Sequence, residues 1–187
     1  EDDKYLNTLI NQAKDLKLLI VGQDPYPKGA TGIAFCKTDK TDLFSNSCSG
    51  RFVLNSLGFN EKNTSNFKNG EAIFLYLLEK GVAFINVSNL ILRSNWVKGK
   101  SQREFENEIF SMNKNAIEGS IDYNLKFLEK STKIVILGES ITASIFKKYY
   151  SEFYPEEILI HPSPKSSKKR KWKETYLCPL LFDNYIK

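Results

Sequence analysis

The chain is poor in the residues that build metal centres and covalent staples: 187 residues contain 3 cysteines and 1 histidine. Cys36, Cys48 and Cys178 are odd in number, widely spaced and form no CxxC pair. Neither a disulfide framework nor a four-cysteine zinc or iron–sulfur site is expected. Such cysteine usage fits a reduced, intracellular protein. No apolar run approaches the roughly 20 residues of a membrane-spanning helix, so no membrane partner is expected. Glu1-Asp2-Asp3-Lys4 lacks the basic-then-apolar layout of a secretory leader. Repeats, proline-rich linkers and long low-complexity tracts are also missing. These absences leave one cytoplasmic domain over residues 1–187, expected as a monomer.

What is present is a hydrophobic fraction of 41%, enough for a sizeable core and too much for a disordered chain. The net charge is +5 and the pI is near 9.0, which permits an anionic partner. The charge is also concentrated. Lys165, Lys168, Lys169, Arg170, Lys171 and Lys173 fall within nine positions that hold no acid. Taken alone, such a run is as readily a solvated surface loop or a localisation signal as a nucleic-acid contact.

Periodicity places a helix over 5–16, with Leu6, Leu9, Ile10 and Ala13 on one face. Lys17 to Val21 is a short apolar strand buried on both faces and stopped at Gly22. A long loop rich in Gly, Pro, Asp, Ser and Thr follows. Ser49 is expected to cap a helix ending at Gly58. A helix over 70–80 stops at Gly81, and Val82 to Ile85 is a second strand. Ser101 and Glu104 have the form of a capping box before one or two helices that reach Lys130. Lys133 to Leu137 is a third strand, and Gly138 opens the helix after it. Ile158 to Ile160 is a fourth strand, and a last helix spans about 171–182, interrupted or ended early by Pro179. Strands alternating with helices predict a three-layer α/β/α fold around a central, four-stranded, mostly parallel sheet.

Ligands in such folds bind beyond the carboxyl ends of the strands. Three polar segments lie there: Gly22-Gln23-Asp24-Pro25-Tyr26, Asn86-Val87-Ser88-Asn89 and His161-Pro162-Ser163-Pro164. Each has an ordinary reading. Asp-Pro opens turns, a lone histidine is more often structural, asparagine at a strand end caps backbone, and Phe35 packs a core. Together they put an acid, an imidazole and an amide at one predicted crevice, beside a basic loop. That set suits cleavage of a sugar–base bond, whose transition state carries positive charge on the sugar and negative charge on the leaving base. Asp24 would stabilise the sugar cation and position a water. His161 would donate to the base oxygen as charge grows there. Asn86 offers one donor and one acceptor for a pyrimidine edge.

These motifs resemble the main uracil-DNA glycosylase family. Gly22-Gln23-Asp24-Pro25-Tyr26 looks like its water-activating loop, and Gly32-Ile33-Ala34-Phe35 follows at the spacing of its uracil-stacking phenylalanine. Gly81 to Asn86 is similar to its strand ending in a uracil-reading asparagine. Lys133 to Gly138 resembles the next strand. His161-Pro162-Ser163-Pro164-Lys165-Ser166 looks like its DNA-intercalation loop. The likeness runs in order from Leu18 to Trp172; its first and last motifs are specific and the middle strands generic. It implies a cofactor-free, metal-free, monofunctional enzyme that removes uracil from DNA and begins base excision repair. By the resemblance, Asp24 and His161 are catalytic. Gln23, Tyr26, Phe35 and Asn86 bind uracil, with Tyr26 excluding the thymine methyl. Ser49, Ser88, Ser163 and Ser166 contact DNA, and the basic charge of Lys165, Lys168, Lys169 and Arg170 is expected to meet its phosphates. A proteinaceous glycosylase inhibitor is a further possible partner.

The chain departs from that pattern in several places. Pro27 stands where the family usually has a histidine. The proline-rich phosphate loop shrinks to Asn46-Ser47-Cys48-Ser49. Lys165 replaces a leucine wedge, and Arg93-Ser94-Asn95-Trp96 lacks the serine–histidine segment. A lysine fills a vacated base stack poorly, so weaker action on duplex and a relative preference for single-stranded DNA are expected. A non-catalytic DNA-binding member of the same fold, a glycosylase for another base, and an unrelated phosphate-binding α/β protein remain as alternatives.

Overall fold

The computed structural model describes residues 4–92, 101–126, 128, 132–162 and 172. Its elements, in chain order, are α1 (Lys4–Gln12), a 3-10 turn (Ala13–Asp15), β1 (Leu18–Gly22), α2 (Lys40–Leu43), α3 (Ser49–Ser56) and α4 (Gly70–Glu79). They continue with β2 (Val82–Asn86), α5 (Gln102–Asn124), β3 (Lys133–Leu137), α6 (Ile141–Tyr149) and β4 (Glu157–Leu159). The four strands form one parallel sheet in the order β2-β1-β3-β4.

Alternation along the strands divides the core in two. Leu18, Ile20, Val82, Phe84, Val135 and Leu137 face α3 and α4. Leu19, Val21, Ala83, Ile85, Ile134 and Ile136 face the other way, toward α5 and α6. Helices therefore cover both faces, which is the expected three-layer α/β/α architecture. It also explains the unbroken apolar runs, since both faces of β1 and β2 are buried. The outer edge of β2 is closed by a side chain. The Tyr5 hydroxyl accepts from the Phe84 N–H at 2.8 Å and lies 3.4 Å from the Phe84 carbonyl oxygen.

Local chemistry sets the helix ends. The Asn69 side chain accepts from the Ala72 N–H at 2.9 Å and starts α4. Ser101 and Glu104 form the expected capping box at α5. That helix is one element with non-helical backbone at Asn113, where φ is −121°. Several details differ from expectation. The chain after Gly22 contains a short helix, α2, capped by Asp39. Helix α6 begins at Ile141 and not at Gly138, because Gly138 adopts φ +140° and the chain turns before it winds. Ile10, expected on the buried face of α1, is 52% exposed. The expected last helix at 171–182 lies outside the described residues except for Trp172, which is buried and donates through Nε1 to the Ile160 carbonyl at 2.8 Å. Among the described residues no helix is long and apolar enough to cross a membrane.

Candidate active site

Parallel pairing carries β1 and β2 past their ends. Gly22 is in register with Asn86, and the ladder continues as Val87 N–H donates to Gly22 O and Ser88 N–H to Gln23 O, each at 3.0 Å. The chain then leaves the sheet at Asp24. Its carboxylate is gripped from two sides. Oδ2 accepts from the Leu92 N–H at 2.8 Å, and Oδ1 accepts from Gln23 Nε2 at 3.2 Å. Burial raises the Asp24 carboxyl above its ordinary value of 3.8, and these two hydrogen bonds partly offset it. A charge kept in a desolvated place by a few fixed donors is a common device of functional sites.

Tyr26 is fixed by a long-range bond. Its hydroxyl accepts from the Gly50 N–H at 2.9 Å, and the Cys48 thiol lies 3.3 Å away. The expected capping role of Ser49 is therefore corrected. Cys48 occupies the cap position of α3 without a side-chain bond, Ser49 is the first helical residue, and Tyr26 satisfies a free amide of the first turn. Burial pushes the Tyr26 phenol up, so it stays protonated. The Lys37 ammonium sits 5.3 Å from the ring centre. Gly50 also matters for close packing. A Cβ there would lie 2.0 Å from the Phe35 carbonyl oxygen, so its bare backbone lets the turn at 33–36 close onto α3.

Phe35 ends that turn with φ +64°, the only non-glycine residue with positive φ among those described. Its ring is 6.3 Å from the His161 ring, centre to centre, at 52°. His161 follows β4 by two residues. The end of β4 is tied to β3, since Gly138 N–H donates to Leu159 O at 2.8 Å.

Asp24, Gln23, Tyr26, Phe35, Ser49 and His161 line one cavity of about 790 Å³ at the carboxyl edge of the sheet. Pro27, Leu92, Glu139 and Thr142 also line it. The volume is in the range of ordinary ligand sites. Two expected residues are not brought to its wall. Asn86 is 2% exposed and lines a separate cavity of about 220 Å³. It lies against the same backbone as Phe35: a Cβ on Gly22 would be 2.9 Å from Asn86 Oδ1 and 3.0 Å from the Phe35 ring. Asn86 Nδ2 is buried with no hydrogen-bond partner among the described residues. Ser88 is fully buried, and its hydroxyl donates to the Leu90 carbonyl at 2.6 Å, an inward role distinct from the phosphate contact expected of it. Ser163, Lys165, Ser166, Lys168, Lys169 and Arg170 lie outside the described residues, as do 93–96.

Sequence reasoning missed the supports. Leu92 holds Asp24 from 68 positions away. Asn124 Nδ2 donates to the Asn86 backbone carbonyl and the Tyr150 hydroxyl, both at 2.9 Å. Nothing local in the sequence marks either contact. Among the described residues, no group of three or more His, Cys, Asp or Glu is placed to hold a metal ion. The chain matches no family model and no curated protein.

Proposed function

We propose that this protein is a monofunctional uracil-DNA glycosylase. The observation that carries the reading is the convergence of Asp24, Tyr26, Phe35 and His161 on one cavity at the strand ends. A deoxyuridine flipped from DNA would enter there. The C1′–N1 bond breaks, and the bonding pair leaves with uracil. Water adds its hydroxyl to C1′ and gives up its proton to the Asp24 carboxylate, and the strand keeps an abasic site. Asp24, as carboxylate, orients that water and stabilises the oxocarbenium-like sugar. His161 donates a hydrogen bond to uracil O2. Phe35 stacks on the base, Tyr26 occupies the space beside C5, and Gln23 contributes backbone contacts. Asn86 reads O4 and N3, which requires the Phe35 ring to move from its place over Gly22. The reading needs no metal or nucleotide cofactor.

The reading extends to the protein's setting. Basic residues from Lys165 to Arg170, with Ser49, Ser163 and Ser166, hold the DNA backbone, so binding weakens steeply with salt. Ser88 is left out of that set because its hydroxyl is used internally. Work in base excision repair, in a reducing cytoplasm and as a monomer, completes the proposal. A proteinaceous inhibitor that covers the same face belongs with it.

The test is base release from an end-labelled, single-stranded oligonucleotide carrying one uracil. Strand breakage only after alkali, and none from a thymine control, supports the reading. Absence of release at high enzyme concentration, with the DNA still bound, overturns it in favour of a non-catalytic DNA-binding protein or another base.

A further inference from the structure

The loop after β2 is braced at three points. Ser88 Oγ donates to Leu90 O at 2.6 Å and lies 3.3 Å from Leu90 N. The Asn89 N–H donates to Ser120 Oγ at 2.8 Å. The Leu92 N–H donates to the catalytic carboxylate of Asp24 at 2.8 Å. Between these braces Leu90 and Ile91 point outward, 62% and 50% exposed.

These side chains line a second cavity, also about 790 Å³, that shares Pro25, Tyr26 and Ile91 with the Asp24 cavity. The far wall of this cavity is α5 at its non-helical residue, Asn113. Residues 111–116 all line it, which a regular helix face could not arrange. Met112, 41% exposed, adds a third apolar group. The lining contains Lys114 and no acid, while its other polar groups are neutral amides and hydroxyls. An apolar floor with a neutral-to-basic rim suits flat nucleobases attached to a phosphate backbone, and its continuity with the Asp24 cavity puts it next to the flipped nucleotide.

We infer that Leu90 and Ile91 form an apolar wedge that packs against the bases neighbouring the flipped nucleotide and occupies the stack it leaves. This rests on the glycosylase reading and names a part of the DNA contact that it did not assign. Wedging of this kind offsets the cost of unstacking a step, so it matters for duplex and little for single strands. It also supplies the apolar surface that Lys165 does not.

The experiment compares wild type with Leu90→Ser, whose side chain lines the second cavity and not the Asp24 cavity, on one uracil sequence, single-stranded and duplexed, in single turnover. Leu90 is exposed, so the thermal midpoint should hold; should the variant fail to fold, Leu90→Ala replaces it. The duplex rate should fall about 10- to 100-fold while the single-strand rate stays within about twofold, and Leu90→Met should restore most of the loss. Equal effects on both substrates, or none, overturn the wedge. A parallel duplex carries 2-aminopurine beside the uracil, whose fluorescence rises on unstacking. If wild type releases no base but produces that rise and the variant does not, the wedge stands and the glycosylase reading falls. If the variant gives the same rise, or wild type gives none, the wedge is overturned.

Discussion

At the amino edge of the sheet, Lys17 and Leu18 both donate to the Gly81 carbonyl, at 2.8 and 3.1 Å, and Lys133 donates to Lys17 O at 3.2 Å. At the carboxyl edge, Asn86 Nδ2, Asn124 Oδ1 and Thr142 Oγ1 are buried with no hydrogen-bond partner among the described residues. A buried polar atom left unpaired costs on the order of 1–3 kcal/mol. The first edge is finished by its own backbone; the second tolerates orphans, a desolvated carboxylate and a phenylalanine at φ +64°. Strain and unmet hydrogen bonds gathered at one end of the sheet fit the site proposed there. The same fold thus separates the region that supplies stability from the region that uses it.

The comparison breaks most readily at glycines. Gly50→Ala should cost the most, about 3 kcal/mol or more, since its Cβ would meet the Phe35 carbonyl oxygen at 2.0 Å. A thermal midpoint unchanged from wild type would refute the packing of the 33–36 turn on α3. Two further substitutions set the edges against each other. Gly22→Ala pushes on Asn86 and Phe35 and should lower uracil release about 100-fold, with a smaller loss of stability. Gly81→Ala, at φ +88°, should cost about 1–2 kcal/mol and leave the rate per folded molecule unchanged. Reversed outcomes, with Gly81→Ala the catalytic defect, would dissolve the distinction.

A smaller effect is expected from Tyr26→Phe. It strips the Gly50 N–H of its acceptor but leaves the ring in place. The loss should be about 1 kcal/mol, or roughly 2–4 °C in midpoint, with discrimination against thymine intact. Loss of that discrimination would show that the hydroxyl, and not the ring, guards C5.

The pH profile sharpens the same contrast. In the proposed reaction Asp24 acts as the ionised form, and burial raises its carboxyl above 3.8. Uracil release should therefore fall on the acid side through that raised value, above the usual carboxylate range. Stability runs the opposite way. Here the ionised form is the one that burial disfavours, so the contribution of Asp24 is full below its unfolded value and declines as pH rises through the raised one. An acid limb at or below 3.8 would contradict the assignment.

Much of the scaffold was legible because its signals are local. Strands buried on both faces read as apolar runs, and the Ser101–Glu104 box needs only four residues. The site was legible in part: of the three strand-end residues expected to converge, Asp24 and His161 line one cavity, whereas Asn86 lines another. Its supports were not. The acceptor at the start of α3 comes from Tyr26, 24 positions earlier, so Ser49 read wrongly as a cap. The Asn86 side chain lies beside the Phe35 ring but lines a separate cavity, and Ser88 turned inward to brace its own loop. These outcomes depend on packing between distant segments, which no local pattern records.

The most direct test sets wild type beside Asp24→Asn, reading single-turnover uracil release, DNA binding and thermal midpoint in the same buffer. Asparagine can still accept from the Leu92 N–H, and it removes a buried charge. The account predicts an unchanged or higher midpoint at neutral pH, retained binding, and release slower by about 10²- to 10⁴-fold. Release at the wild-type rate from a folded, DNA-bound Asp24→Asn protein would contradict it.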